Sequence, residues 1–350
     1  MGLRHQGKPL ATYMKAIVYH KYGSPDVLRC EEIEKPTAAD NEVLIRVRAA
    51  SVNPLDWHLM RGEPYIVRAM SGLRKPKAAR PGVDLAGQIE AVGRNVTQFQ
   101  PGDDVFGGSS GAFSEYVCAD ENKLVLKPAS LTFQQAATLP VAAISALQGL
   151  RDKGRIQPGQ KVLINGAAGG VGTFAVQIAK SFGAHVTGVC STRNMDLVRS
   201  IGADNVVDYM QQDFSQSGQR YDLMLDCVGN RSLSAYRRAM TPRGNYVMVG
   251  GPAGRWIGPL DRALKALLLS PFVSQNLFMF VASINKEDLV VLKELIEAKK
   301  VTPVIDRCYT LSEVPEAIRY SEQGHARGKV VITLEDEGND NEHDHRRVTS

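Results

Sequence analysis

Cysteine is scarce and scattered in this chain. The five present, Cys30, Cys118, Cys190, Cys227 and Cys308, form no CxxC pair, which argues against a disulfide framework and against a four-cysteine zinc knuckle. Long apolar runs are also missing. The one uncharged segment, Ala266 to Asn285, is broken by Pro271 and carries Ser, Gln and Asn, so it reads as helix, break and strand at a buried interface or over an active site rather than as a membrane span. The first residues lack the apolar core of a secretory signal, and position 6 is Gln where myristoylation needs Ser or Thr. With the unpaired cysteines, this leads to a cytoplasmic expectation. The net charge of +5 is spread over 350 residues and gives nucleic acid no basic face. Residues 1–13 and 336–350 are expected to be flexible tails, the second being charged and poor in apolar side chains.

The chain does carry a glycine-rich turn between two apolar patterns, from Lys161 to Gly183 (KVLINGAAGGVGTFAVQIAKSFG). Val162, Leu163 and Ile164 read as a buried strand, and Phe174, Ala175, Ile178, Ala179 and Phe182 recur at helical spacing. The turn is spelled Gly166-x-x-Gly169-x-x-Gly172, with Ala167 where a GxGxxG motif has its first glycine. Backbone N–H groups at such a helix start favour an anion, and Ala168, Gly169, Gly170, Val171 and Gly172 become candidate pyrophosphate contacts. The pattern then repeats as strand (184–190), helix (195–201), strand (205–209) and strand (221–228). Serial βαβ units imply a doubly wound parallel sheet.

The end of the second strand bears on which dinucleotide binds. NAD sites usually place a carboxylate there, but this chain offers Ser191, Thr192, Arg193 and Asn194, with no acid before Asp196. Arg193 can pair with a 2′-phosphate and the hydroxyls can donate to it, which favours NADP(H). An ordinary helix cap with a solvated Arg193 is the alternative.

Before this unit, residues 14–128 read as short strands with frequent turns, an all-β module of barrel type. Residues 133–151 form helical segments. Two amphipathic helices (289–299 and 311–322) and a closing strand (328–334) follow the nucleotide unit. The basic stretch from Arg61 to Arg80 is either a solvated loop or a substrate lip.

Along nearly its whole length the chain resembles the medium-chain dehydrogenase/reductase superfamily, on PGVDLAG (81–87), AVG (91–93), PGD (101–103), AATLP (136–140) and the glycine turn. Within it, the chain looks like the zinc-independent quinone oxidoreductase (zeta-crystallin-like) branch. The resemblance implies an α/β protein with a GroES-like β-barrel catalytic domain (14–135 and 286–335), a Rossmann nucleotide domain (136–285), a cleft between them and a homodimer. At the positions where zinc-dependent members hold their catalytic metal, it places Asn53, Val83 and Ala142 or Ala143, none of which replaces a thiolate or imidazole; no metal is expected.

Hydride transfer to an already electrophilic quinone or α,β-unsaturated carbonyl needs no metal. An NADPH-dependent quinone or enone reductase is therefore expected, with a noncatalytic NADPH-binding structural or regulatory protein as the alternative and an alcohol dehydrogenase further behind. Catalytic candidates are Asn53, as donor to the acceptor oxygen, His58, as general acid or a packed residue, and Asp56, as orienting or structural group. The resemblance further implies cofactor contacts at Thr138, Tyr209, Val228, Gly250, Phe278 and Lys329, each of which has a packing role as its alternative.

Overall fold

A computed structural model describes residues 12–65, 67–77, 80–250 and 274–334. The expected tails lie outside these residues, save that a strand already begins at Tyr13. Residues 266–273 of the uncharged segment, with Pro271, also lie outside them.

The chain opens with β1 (Tyr13–Val18) and β2 (Arg29–Glu34), an antiparallel pair. Then come β3 (Glu42–Val52), α1 (Pro54–Arg61), α2 (Val67–Ser71), β4 (Asp84–Val92), β5 (Asp104–Gly108), β6 (Tyr116–Asp120) and β7 (Leu124–Leu126). Helices α3 (Phe133–Ala136) and α4 (Pro140–Gln148) lead to the nucleotide unit: β8 (Lys161–Asn165), α5 (Gly170–Ser181), β9 (His185–Cys190), α6 (Met195–Ser200), β10 (Asn205–Asp208), β11 (Tyr221–Asp226), α7 (Leu233–Arg238), β12 (Met240–Met248) and β13 (Asn276–Met279). The chain closes with α8 (Lys286–Glu297), β14 (Ile305–Thr310), α9 (Val314–Glu322) and β15 (Lys329–Thr333).

Strands β8 to β13 form one six-stranded sheet in the order β10-β9-β8-β11-β12-β13, with every neighbour parallel. The order reverses between β8 and β11, which opens a crevice at their carboxyl ends. Helix α5 forms there because Phe174, Ala175, Ile178 and Ala179 put an apolar stripe on one face, and all four are fully buried. Phe174 alone makes the helix expensive to lose, since truncating such a ring to alanine costs about 3–5 kcal/mol.

The other sheet has the order β14-β15-β3-β4-β5-β7, with β6 on β3. β3 is buried along most of its length because β6 pairs its first half, β15 its second, and β4 its other edge. The registers matter for the site. Ser51 faces Asp84 across β3 and β4, while Val52 faces Val330, so Asn53 and Lys329 emerge side by side. α1 then starts at Pro54, whose fixed φ suits a first helical position, and ends at Gly62 in the left-handed region.

An apolar core joins the two sheets. It contains Ala49, Ala86, Phe106 and Val331 of the catalytic sheet, most of α4, and Val162, Ile164, Phe174 and Leu225 of the nucleotide unit. The barrel interior is a separate cluster around Ile45, Leu85, Phe113 and Val330. The 61–80 insertion holds the helix α2 instead of an open loop. Arg68 donates to the Gly62 carbonyl and stacks on Tyr22, whose hydroxyl donates to the Gly72 carbonyl, so the insertion packs back onto the molecule.

Candidate active site

Two features of the turn after β8 require glycine. Gly166 sits at φ 84°, where L side chains are strained, and a Cβ on Gly172 would lie 2.0 Å from the Gly166 carbonyl oxygen. Gly169 caps α5 with extended backbone, and Ala168 and Val171 flank it. The first N–H groups of α5 have no partner within the helix, which leaves them to an anion. On its other wall Asp226, 1% exposed, ends β11. Its carboxylate accepts from Asn165 Nδ2 (2.8 Å), Tyr246 Oη (2.6 Å) and the N–H groups of Val228 and Gly229. Val228 packs against Gly166, and Gly250 lies so close to Cys227 that a Cβ would meet its carbonyl oxygen. Sequence reasoning missed Asp226, although an acid closing an apolar strand was the available signal.

At the end of β9, Ser191 Oγ accepts from Asn194 Nδ2 (3.2 Å), and Arg193 donates to the His325 carbonyl (3.1 Å). Arg327 reaches back to the Arg193 carbonyl (3.4 Å). A second guanidinium thus joins the end of β9 from the loop before β15, a placement no local pattern announces. Asn194 is buried, and its Oδ1 has no partner among the described residues. Thr192 departs from the expectation of a free phosphate donor, because its hydroxyl is bonded to Asp208 at 2.5 Å. Tyr209 follows β10 and is exposed. Phe278 lies on the outer strand β13 opposite Val247 and is partly buried against the shared core.

The catalytic candidates separate. Asn53 is 2% exposed and both polar atoms of its amide are engaged: Oδ1 accepts from Lys329 Nζ (2.6 Å), and Nδ2 donates to Asp84 Oδ2 (2.8 Å) and, at 3.4 Å, to the Ser51 carbonyl. Asp84, absent from the sequence-derived candidates, is the hub. Its Oδ2 also accepts from Ser51 Oγ (2.7 Å) and Lys329 Nζ (3.4 Å), and its Oδ1 from the Val141 N–H (2.9 Å) in the first turn of α4. Thr138, fully buried, stands just before that turn and donates to the Gln135 carbonyl. Burial drives the Lys329 pKa down from its usual value, against the opposing pull of Asp84 and Asp56.

Asp56 is a support. One oxygen accepts from the Asn53 N–H (2.8 Å) and the other from Gly82 N–H (3.1 Å). Burial raises its pKa to about 7, with Asp84 adding to the rise and the two N–H donors and Lys329 opposing it. His58 points elsewhere: its Nδ1 bonds the Glu63 carbonyl at 2.7 Å and its ring lies 3.8 Å from that of Trp57. A carbonyl only accepts, so Nδ1 carries the proton and neutral His58 has a bare Nε2. Burial also lowers its pKa. These facts set His58 against service as a general acid at neutral pH.

A zinc ion does not fit these residues. The Asn53 amide is already bound to a buried ammonium, which would repel a second cation, and Val83, Ala142 and Ala143 offer no ligand atoms. Among the described residues no three His, Cys, Asp or Glu side chains converge on a metal position.

Residues 39–129 match the family model of the alcohol dehydrogenase GroES-like domain, and residues 201–332 that of zinc-binding dehydrogenases. The chain is 36% identical to the mitochondrial NAD(P)H oxidoreductase RTN4IP1 of Mus musculus, covering 93% of this chain and 90% of that one. It is 34% identical to the chloroplastic NADPH-dependent alkenal/one oxidoreductase of Arabidopsis thaliana, over 91% of this chain and 79% of that one. The solved quinone oxidoreductase of Coxiella burnetii matches with a TM-score of 0.83 at 30% identity, over 93% of this chain and all of that one. A parallel nucleotide sheet joined to a GroES-like barrel defines a two-domain oxidoreductase architecture. The chain belongs to the medium-chain dehydrogenase/reductase family, in its quinone oxidoreductase branch.

The relatives correct one expectation. Both sequence relatives carry an organelle in their names, mitochondrial and chloroplastic, which points away from the cytoplasm. Unpaired cysteines report a reducing environment and do not distinguish one reducing compartment from another.

Proposed function

We propose that the protein is a metal-free, NADPH-dependent reductase of quinones or α,β-unsaturated carbonyls that works as a homodimer. The observation that carries this reading is the Asn53 amide, held by Lys329 and Asp84 beside the nucleotide crevice, with its oxygen already taken by the lysine and no three metal-ligating side chains converging among the described residues. The quinone and alkenal/one oxidoreductase names of its relatives agree with it.

The Gly166–Gly172 turn would hold the pyrophosphate. Arg193, Arg327, the Ser191 hydroxyl and the buried Asn194 would take the 2′-phosphate, with Tyr209 beside them. Thr138, Val228 and Gly250 would line the nicotinamide end. When bound, NADPH supplies a hydride to the acceptor. Negative charge then grows on the acceptor oxygen, and the Asn53 amide would stabilise it. One Nδ2 proton is committed to Asp84, and the other makes only the long 3.4 Å contact with the Ser51 carbonyl, which an acceptor oxygen would replace without any turn of the amide. The apolar core between the domains gives the fixed geometry that positioning requires.

Purified protein mixed with NADPH and a panel of small quinones and enones should oxidise NADPH only when an acceptor is present. NADPH binding without turnover on any acceptor would favour the noncatalytic alternative. A stoichiometric zinc surviving dialysis would overturn the metal-free part.

A further inference from the structure

Lys329, Asp84 and Asn53 are 3%, 0% and 2% exposed, so two opposite charges and an amide share one dry site. A lysine ammonium has three protons, and here each has an acceptor: Asn53 Oδ1 at 2.6 Å, the Val52 carbonyl at 3.1 Å and Asp84 Oδ2 at 3.4 Å. The ammonium cannot accept and the carboxylate cannot donate, so the Asn53 amide has one orientation only. The lysine stem makes a second contact in the other direction. A Cβ on Gly170 would lie 3.0 Å from Lys329 Cδ, and Gly328 forms a parallel bridge with Gly169. Asp84 completes the linkage through Val141, three residues after Thr138. One side-chain pair therefore touches the Asn53 amide, the glycine turn and the start of α4.

Stability alone is a poor reason for such a pair, because apolar replacements of buried ion pairs are often neutral or stabilising. What an apolar side chain cannot do is set the direction of an amide.

We propose that the Lys329–Asp84 pair is the positioning element of the active site, aiming the Asn53 amide at the acceptor through its charges while the lysine stem backs the nucleotide turn at Gly170. Both residues act through others and neither supplies the proton or the hydride. The inference rests on the reductase reading for its consequence in turnover, but not for the geometry it assigns to Asn53.

The charge and the stem are separable by mutation. Lys329→Met keeps the stem and removes the charge. It leaves Asp84 unpaired, so the informative variant is Asp84→Asn/Lys329→Met, which removes both charges and should fold. That double variant is expected to lose about 10- to 100-fold in kcat with NADPH affinity nearly unchanged, whereas Lys329→Ala should also weaken NADPH binding. Combined with Asn53→Ala, the double variant should lose little further kcat, because the residue it positions is already gone. Recovery of wild-type kcat together with wild-type melting temperature in the double variant would overturn the proposal, leaving the pair a packing feature. Equal NADPH affinities in the Met and Ala variants would remove the role of the stem. The side-chain amide signals of Asn53, assigned in NMR spectra by their loss in Asn53→Ala, give a reading that needs no acceptor. Their hydrogen exchange should be at least about tenfold faster in the double variant. Unchanged exchange would overturn the positioning role even in an active enzyme. Faster exchange in the double variant, together with a wild-type protein that reduces no acceptor, would remove the reductase reading and leave the positioning of Asn53 in place.

Discussion

Single side chains carry the sharpest consequences of this structure. Arg193 lies at the end of β9 with Arg327 beside it, and an arginine–phosphate contact contributes about 1.5–3 kcal/mol. Arg193→Ala should therefore weaken NADPH about 10- to 100-fold and NADH far less, as read by fluorescence titration of both cofactors. An equal loss for the two would remove the 2′-phosphate role. Asp56 makes a pH-dependent contribution to stability. An unfolded aspartate ionises near 3.8, whereas burial lifts folded Asp56 to about 7, so between these values the folded chain keeps a proton that the unfolded chain has released. Its contribution is fully present below about 3.8 and is lost as the pH rises through 7. Asp56→Asn leaves one acceptor for two N–H groups and should be less stable throughout, yet urea denaturation from pH 5 to 8 should show a shallower fall in stability than wild type. The same slope in both proteins would place the titration elsewhere.

At the level of elements, the strand–turn–helix around Gly166 to Gly172 was readable because its cause is local: an apolar strand, glycines and a 3.6-residue stripe. Its close approach at Gly172 gives a direct test. Gly172→Ala would press a methyl group against the Gly166 carbonyl, and overpacking of this kind costs about 1–3 kcal/mol. The variant should melt lower and bind dinucleotide at least about tenfold more weakly in calorimetry; normal binding would show that the turn has room to spare. Other elements were less legible. The 61–80 stretch looked like a basic loop, since the five-residue α2 is too short to show a period and is held by Arg68 stacking on Tyr22. Phe278 was placed over the cofactor from a segment whose register only strand pairing with β12 could set.

In the whole molecule, the shared apolar core makes the two sheets one packed body across the domain junction. The six-stranded sheet ends at β13, an outer strand among the described residues, and an unpaired edge is a template for a second copy. A homodimer built there should appear in light scattering, and Met279→Lys, which sets a charge on that strand, should shift it toward monomer. An unchanged dimer would move the interface elsewhere.

The succession of barrel strands, glycine turn and βαβ units was legible along the chain because each depends on residues a few positions apart. The expectation of no zinc rested on the residues that the family resemblance puts at the ligand positions, Asn53, Val83 and Ala142 or Ala143. The working arrangement of the site was not legible in this way. Asp84 read only as part of the PGVDLAG family motif and Lys329 as a cofactor contact, for their partnership spans 245 positions and exists only because β15 and β4 both pair with β3. Burial then turned those two charges into a fixed pair, bound the Asn53 amide between them, and turned His58 toward Glu63. A pattern in sequence can nominate side chains for a site, but strand register and desolvation settle which of them meet and in what charge state.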